Sequence, residues 1–421
     1  MIGTYWKMMR RNPSYARLWL ADAVSLMGDW FSLIALAVLV TRYSGGSGLA
    51  VSGLLLAQLL PAVIIGPLAG MLVDRLDRKA ILIVSDLLRV VVTLGFLLVR
   101  GPGDLWIIYA LTLAQFSISS AFEPARSAMM PRVVRAEDLV KANILSSVTW
   151  SAMLALGGLL GGVVAALFGA TTALILNSLS FAISALLLGG LRPVDGGSFR
   201  AEPASAAEPR GGLIDGLRYL WRRPSTAALL MLKAGTAVGS IETLRVLYAT
   251  KIFSGGDQGA WALGLLSAAA GVGAVIGPLL LERFNNGTIR RMRWLSTVGL
   301  LACTIGILSL AGATGMVLAA LVFMCRAMGG SAVWTYSSVM IQQSTADEVR
   351  GRVFALDFAA NQLSAVCATL ILGWLLNRSD ELIIRSVTFQ LGLVTLIPLA
   401  LWLLVLALIE RAERATMATA T

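Results

Sequence analysis

Ala62-Val-Ile-Ile-Gly-Pro-Leu68 returns half a chain later as Gly273-Ala-Val-Ile-Gly-Pro-Leu279, which lays Gly66-Pro67 on Gly277-Pro278 at an offset of 211 residues in a chain of 421. The same offset carries Ser127-Ala-Met-Met130 onto Ser338-Val-Met-Ile341. Two unrelated stretches agreeing on one register near the midpoint imply two parallel repeats.

The medium of those repeats follows from composition. The chain is 57% hydrophobic and 14% charged, with a mean hydropathy of +0.80, too apolar for a surface that must face water. Apolar runs near 20 residues match helices crossing a hydrocarbon core of ~30 Å. Alternating short strands are absent, and lipid offers the backbone no hydrogen-bond partner, so helices are the spanning form. The fold class expected is an all-α membrane protein of twelve transmembrane helices in two six-helix pseudo-repeats. The spans read as roughly 15–41, 48–73, 80–100, 104–128, 138–168, 170–190, 224–251, 258–282, 292–312, 314–341, 350–377 and 382–409. The first run has no small-residue cleavage site and reads as a retained helix.

An even span count puts both termini on one side. About 25 of the 34 Lys and Arg fall on that side, whereas the opposite loops hold Arg42, Arg100, Lys251, Arg378 and Arg385. The positive-inside rule places both termini in the cytoplasm. The net charge of +11 is thereby a matter of topology and points to a lipid bilayer, not to nucleic acid, as partner. Residues 192–223 begin rich in Ala, Gly, Pro and Glu, then turn amphipathic with Leu213, Leu217, Leu220 and Trp221 beside Arg218, Arg222 and Arg223. They read as a linker and a helix on the cytoplasmic membrane face, separating an N-terminal half at 1–191 from a C-terminal half at 224–421.

On the first helix of each half, the offset lays Asp22, Ser25, Asp29 and Ser32 on Lys233, Thr236, Ser240 and Thr243. Both sets step i, i+3, i+7, i+10, one helical face each. The expectation is two polar stripes facing each other across an interior cavity, with Asp22 opposite Lys233.

With spans, linker and repeat in place, the segment Gly70-Met-Leu-Val-Asp74-Arg75-Leu-Asp77-Arg78-Lys79 resembles the major facilitator superfamily hallmark between helices 2 and 3. It departs where Asp77 replaces a glycine. SLMGDW at Asp29, SDLLR ending at Arg89 and FEPARSAMMP at 122–131 are similar to the bacterial subgroup of macrolide-efflux and enterobactin exporters. The resemblance covers the whole chain. It implies a cytoplasmic gate in which Gly70 packs, Asp74 caps a neighbouring helix near Arg350, and Arg75 and Arg78 complete the latch, with Glu123 and Arg126 extending it. Asp77 would weaken that latch. Gly157-Gly158-Leu-Leu-Gly161-Gly162 partly resembles the family's antiporter motif, but Met153 and Gly158 stand for its glycine and proline, so tight packing is all it implies.

Ionisable residues within spans are Asp22, Asp29, Asp86, Arg89, Glu123, Lys233, Glu242, Arg245, Arg326 and Asp357. Each costs about 2.5–3.5 kcal/mol against lipid on insertion scales, so each needs a partner or a wet cavity. Asp86 with Arg89 reads as self-paired. Glu242 with Arg245 reads equally as an outer gate or a local pair. With no histidine in the chain, any proton carrier is a carboxylate, and Asp29 comes first, Asp22 second. Lys233 or Arg326 either keeps that carboxylate ionised or binds an anionic substrate group, and an Asp22–Lys233 bridge that only stabilises one conformation stands beside these readings. Asp357, Asn361, Gln362, Gln115, Ser119 and Trp334 are candidate cavity lining for an amphipathic ligand.

These readings converge on a proton-driven secondary exporter of a drug-like or siderophore-like small molecule. It would work as a monomer in the bacterial inner membrane, without cofactor or metal. A lipid or lysophospholipid flippase is the alternative, and a non-transporting membrane sensor a remoter one. A nucleophile with a histidine base is impossible here, and no phosphate-cradling loop appears, so neither an enzyme nor an ATP-driven pump is indicated. Cys303, Cys325 and Cys367 show no disulfide or zinc spacing. The topology predicts that green fluorescent protein fused after Thr421 fluoresces and that alkaline phosphatase there is inactive. Phosphatase inserted at Gly101–Gly103 should be active, and the reverse pattern would invert the orientation.

Overall fold

The computed structural model is helical throughout and describes residues 2–66, 76–193, 213–239, 241–255, 258–345, 347–377 and 380–420. A short helix α1 (Ile2–Arg11) precedes α2 (Pro13–Tyr43), α3 (Gly48–Ile64), α4 (Arg78–Gly95), α5 (Leu105–Val133) and α6 (Leu139–Gly189). Then follow α7 (Leu213–Arg222), α8 (Pro224–Ala237), α9 (Ile241–Leu247), α10 (Ala260–Glu282), α11 (Ile289–Ala311), α12 (Met316–Ser344), α13 (Asp347–Leu375), α14 (Glu381–Val394) and α15 (Leu396–Ala420).

Among the described residues ten helical stretches are long and apolar enough to cross a membrane. One of them, Lys141–Gly189, runs 49 residues, far beyond the ~20 that a bilayer needs. It turns at Gly169, whose φ of 83° and ψ of 165° suit a residue without Cβ. The turn falls between the fifth and sixth spans expected from the sequence. Gly48–Ile64 is a shorter apolar helix within the expected second span, which completes twelve crossings. Large apolar side chains such as Leu186 (79% exposed) and Leu382 (81% exposed) stay on the outside, as a lipid-facing surface requires.

Local signals set the helix ends. Pro13 and Pro224 occupy the first turns of α2 and α8, where a missing N–H costs nothing. Ser47 accepts from the Ala50 amide at the start of α3, and Asp77 accepts from the Ala80 amide at 2.8 Å at the start of α4. Asp77 therefore acts as a helix cap. The linker at 194–212 lies outside the described residues. The amphipathic stretch after it is α7: Trp221 and Leu217 are exposed, while Leu220 is buried among Leu229, Met292 and Tyr336.

The chain forms two compact units, Met1–Ala207 with Arg245–Ala268, and Glu208–Leu244 with Ala269–Thr421. In the first, Tyr15, Leu82, Phe122 and Met129 form the core. In the second, Leu295, Val333, Tyr336 and Ile341 do. The glycines at 157–162 explain why Arg245–Ala268 joins the first unit. A Cβ on Gly157 would lie 2.7 Å from the Trp30 ring of α2, whereas one on Gly162 would lie 2.6 Å from Gly264 Cα and 2.9 Å from the Ala260 carbonyl. One face of α6 thus packs on α2 and the other admits the backbone of α10, the small-residue contact that membrane helices favour. At the base of this unit, Asp138 takes hydrogen bonds from Lys141 (2.9 Å) and Asn12 (3.0 Å), and the Lys141 bond foremost holds its carboxyl below the usual range. Replacing Gly162 by Leu should destabilise the protein by about 1–3 kcal/mol, read as a lower thermal midpoint in detergent. Gly103→Ala, in open space, should leave the midpoint unchanged.

Candidate functional site

In the first unit α2 and α5 meet along their polar faces. Asp22 and Asp29 lie seven residues apart, two turns on one face of α2. Arg126 of α5 reaches Asp22 at 3.3 Å and Glu123 at 2.9 Å. Gln115, three turns away on α5, donates to Asp29 Oδ1 at 3.1 Å. Asp22 is buried and Glu123 half exposed, so Arg126 joins an inner carboxylate to an outer one. Asp29 differs in kind: among the described residues its hydrogen-bond partner is a neutral amide, and it takes part in no ion pair. Ser25 and Ser119 spend their hydroxyls on the Asp22 and Gln115 carbonyls, the back-bonding that serves hydroxyls in a helix. Asp86 and Arg89 pair on α4 at 3.3 Å as their spacing suggests. The guanidinium lies 4.3 Å from the Phe122 ring centroid and 5.3 Å from that of Phe181, a cation–π housing for a charge shut away from water.

In the second unit the corresponding position is inverted in sign. Lys233 is 1% exposed and its ammonium is ion-paired to Asp357 of α13, hydrogen-bonded to Ser338 at 3.1 Å and set 4.3 Å from the Trp334 ring centroid on α12. The other Asp357 oxygen, Oδ1, is buried without a hydrogen-bond partner among the described residues. The seventh span is broken: α8 ends at Ala237 and α9 begins at Ile241. Carbonyls in the last turns of α8 take side-chain donors. Arg326 donates to the Thr236 carbonyl at 2.9 Å, Asn361 to that of Lys233 at 3.2 Å and Ser364 to that of Ala234 at 2.9 Å. A cation at a helix carboxyl end is also favoured by the helix dipole.

Asp22 and Lys233 are each neutralised inside their own unit, Asp22 by Arg126 of α5 and Lys233 by Asp357 of α13. Arg326 spends one guanidinium nitrogen on the Thr236 carbonyl. Arg126 bridges Asp22 and Glu123, and the described side of the gate shows Arg78 donating to the Ala128 carbonyl at 3.2 Å. Gly70, Asp74 and Arg75 lie outside the described residues. Trp334 is half exposed and Gln362 partly buried. On α9 Glu242 is exposed and Arg245 buried.

Ser338, Ser364 and the break in the seventh span escaped the sequence reading. Gly235 and Gly239 flanking Thr236 were the available signal, since paired glycines weaken a helix interior. The 211-residue offset also lays Gln115 on Arg326, Glu123 on Trp334 and Ser127 on Ser338. Gln115 and Arg326 thus hold equivalent positions on the fourth span of each unit, one donating to the Asp29 carboxylate and the other to the Thr236 carbonyl of the first span. Lys233→Ala strands the Asp357 carboxylate and should cost about 3–5 kcal/mol, whereas Lys233→Met with Asp357→Leu should recover most of that loss; thermal midpoints of the purified variants measure both.

Residues 18–368 match the family model described as Major Facilitator Superfamily. The uncharacterized MFS-type transporter YfiS of Bacillus subtilis (strain 168) is 25% identical over 403 residues, covering 93% of this chain and 94% of that one. The multidrug efflux pump Tap of Mycobacterium tuberculosis is 26% identical over 378 residues, covering 85% and 86%. The crystal structure of the nucleoside transporter NupG superposes with a TM-score of 0.70 at 11% identity, over 93% of this chain and 98% of that one, a likeness of fold alone. A twelve-span helical fold, buried charges neutralised within each unit, and a family match over most of the length together place the chain in the Major Facilitator Superfamily, a family of membrane transporters and not of enzymes.

Proposed function

We propose that the chain is a proton-coupled exporter of an amphipathic, drug-like or siderophore-like small molecule, and that it works by alternating access in the bacterial cytoplasmic membrane with both termini inside. The observation that carries this reading is the contrast between Asp29 and the other carboxylates of the spans. Asp22, Asp86 and Asp357 are each tied to a cation, so protonating them would strand Arg126, Arg89 or Lys233 in a poorly solvating interior. Among the described residues Asp29 takes its hydrogen bond from the neutral Gln115 amide and joins no ion pair. An amide serves either protonation state, its N–H donating to the carboxylate and its carbonyl accepting from the acid. Asp29 also lies near the middle of α2, about 24 Å along a helix of ~1.5 Å rise per residue, at the depth where a proton taken from one side can be delivered to the other.

Export is supported by the named function of Tap, a multidrug efflux pump, and a broad amphipathic ligand suits Trp334, Asn361 and Gln362 on the span faces. The gate motif at Gly70, Asp74, Arg75 and Arg78 would close the cytoplasmic side. Energy would come from the proton gradient without a cofactor. A ligand-induced thermal-shift screen over antibiotics, siderophores and lysolipids identifies the substrate. In proteoliposomes that substrate should elicit proton flux, and Asp29→Asn should reduce the flux to that of empty liposomes while the thermal midpoint holds. Unchanged flux in Asp29→Asn removes the assignment, and lysolipid movement without proton flux would favour a flippase.

A further inference from the structure

Five cations spread over the first half of the chain converge on one cavity at its basic face. Arg11 ends α1, Arg17 lies in the second turn of α2, Lys79 in the first turn of α4, Arg135 just after α5 and Arg192 just after α6, and all five line a cavity of about 740 Å³, within the usual range for small-ligand sites. Among the described residues no Asp or Glu lines it. Positive-inside bias alone asks for cations on this side of the membrane. It does not ask that they surround one hollow, where mutual repulsion opposes them.

Part of that charge has structural work. Arg17 donates to the Gly190 carbonyl, and Lys79 to the carbonyls of Gly189 at 2.7 Å and Leu191 at 3.1 Å, so both cap the carboxyl end of α6. Arg11 pairs with Glu137 at 3.3 Å on the rim, and Asp138, the other acid nearby, is buried and bound to Lys141 and Asn12. Arg135 and Arg192 remain exposed, with guanidinium groups that meet no partner among the described residues. The amino end of α2 opens on the same hollow, and Asn12, engaged with Asp138 and the Arg135 amide, leaves that end without a side-chain cap.

We propose that this cavity binds a phosphate-bearing anion, and that the headgroup of an anionic phospholipid supplies it. The Arg135 and Arg192 guanidiniums, without partners among the described residues, are suited to bidentate contacts with phosphate oxygens. Basic pockets between spans on the cytoplasmic side take anionic headgroups. The lipid source is favoured by α1, which reaches the rim at Arg11 and carries Trp6 at 64% exposure, the amphipathic ring enriched at membrane–water interfaces. The site is independent of the proton pathway through Asp29.

The test uses the full chain in nanodiscs of phosphatidylcholine, with and without phosphatidylglycerol, read by thermal midpoint. Phosphatidylglycerol should raise the midpoint of the wild type by roughly 3 °C. Arg135→Gln with Arg192→Gln should abolish the rise. Lys7→Gln with Arg10→Gln, which removes the same charge from positions outside the cavity, should keep it. A rise produced by glycerol 3-phosphate in phosphatidylcholine alone, lost in the Arg135 and Arg192 variant, upholds the phosphate site and overturns its lipid source. No rise with either ligand, or equal loss in both double variants, overturns the site.

Discussion

A hydrocarbon bilayer gives a backbone no hydrogen bonds and a charge no solvation, and the main features of this fold answer that constraint. The backbone is helical because a helix satisfies its own amides. Where the seventh span breaks, between Ala237 and Ile241, carbonyls in the last turns of α8 take side-chain donors from Arg326, Asn361 and Ser364. Where charges must enter the membrane, they enter in company: Asp22 with Arg126, Asp86 with Arg89, Lys233 with Asp357.

Each of these pairs closes within one compact unit. A unit that carries its own neutralised charges can move as a body without tearing ion pairs apart in a low-dielectric interior, where a severed pair is costly. Rigid motion of two halves needs this property, and alternating access rests on such motion. The repeat supplies the scaffold twice and lets the chemistry diverge on it. The position that is Asp22 in one half is Lys233 in the other, and the partners changed with it, from Arg126 on α5 to Asp357 on α13 with Trp334 and Ser338 on α12.

Asp29 stands outside this pattern of pairing, and its exception gives it a functional reading. A partly buried carboxylate whose hydrogen-bond partner among the described residues is the neutral Gln115 amide would, on the proposed reading, exchange a proton without leaving a cation unmatched. Glycine plays the complementary part. At 157, 158, 161 and 162 it clears both faces of α6 for close backbone contact, so the antiporter-like motif is accounted for by packing.

The order of residues alone reveals the medium, the number of crossings, the duplicated plan and the membership of each polar stripe, because lipid forces apolar length and helical period into the sequence. Even the turn at Gly169 falls where two apolar runs meet, and the Asp86–Arg89 pair follows from their spacing on one helix. Which charge answers which emerges only from the packed helices. Helical spacing states the face on which Asp22, Lys233 or Arg326 lies, but not which neighbouring helix that face meets or at what depth. The opposite charge that reaches Asp22 lies 104 residues away in the chain, and the one that reaches Lys233 lies 124 away. The gathering of Arg11, Arg17, Lys79, Arg135 and Arg192 around one cavity was hidden for the same reason: distance along a chain carries no information about proximity once long helices fold back on one another.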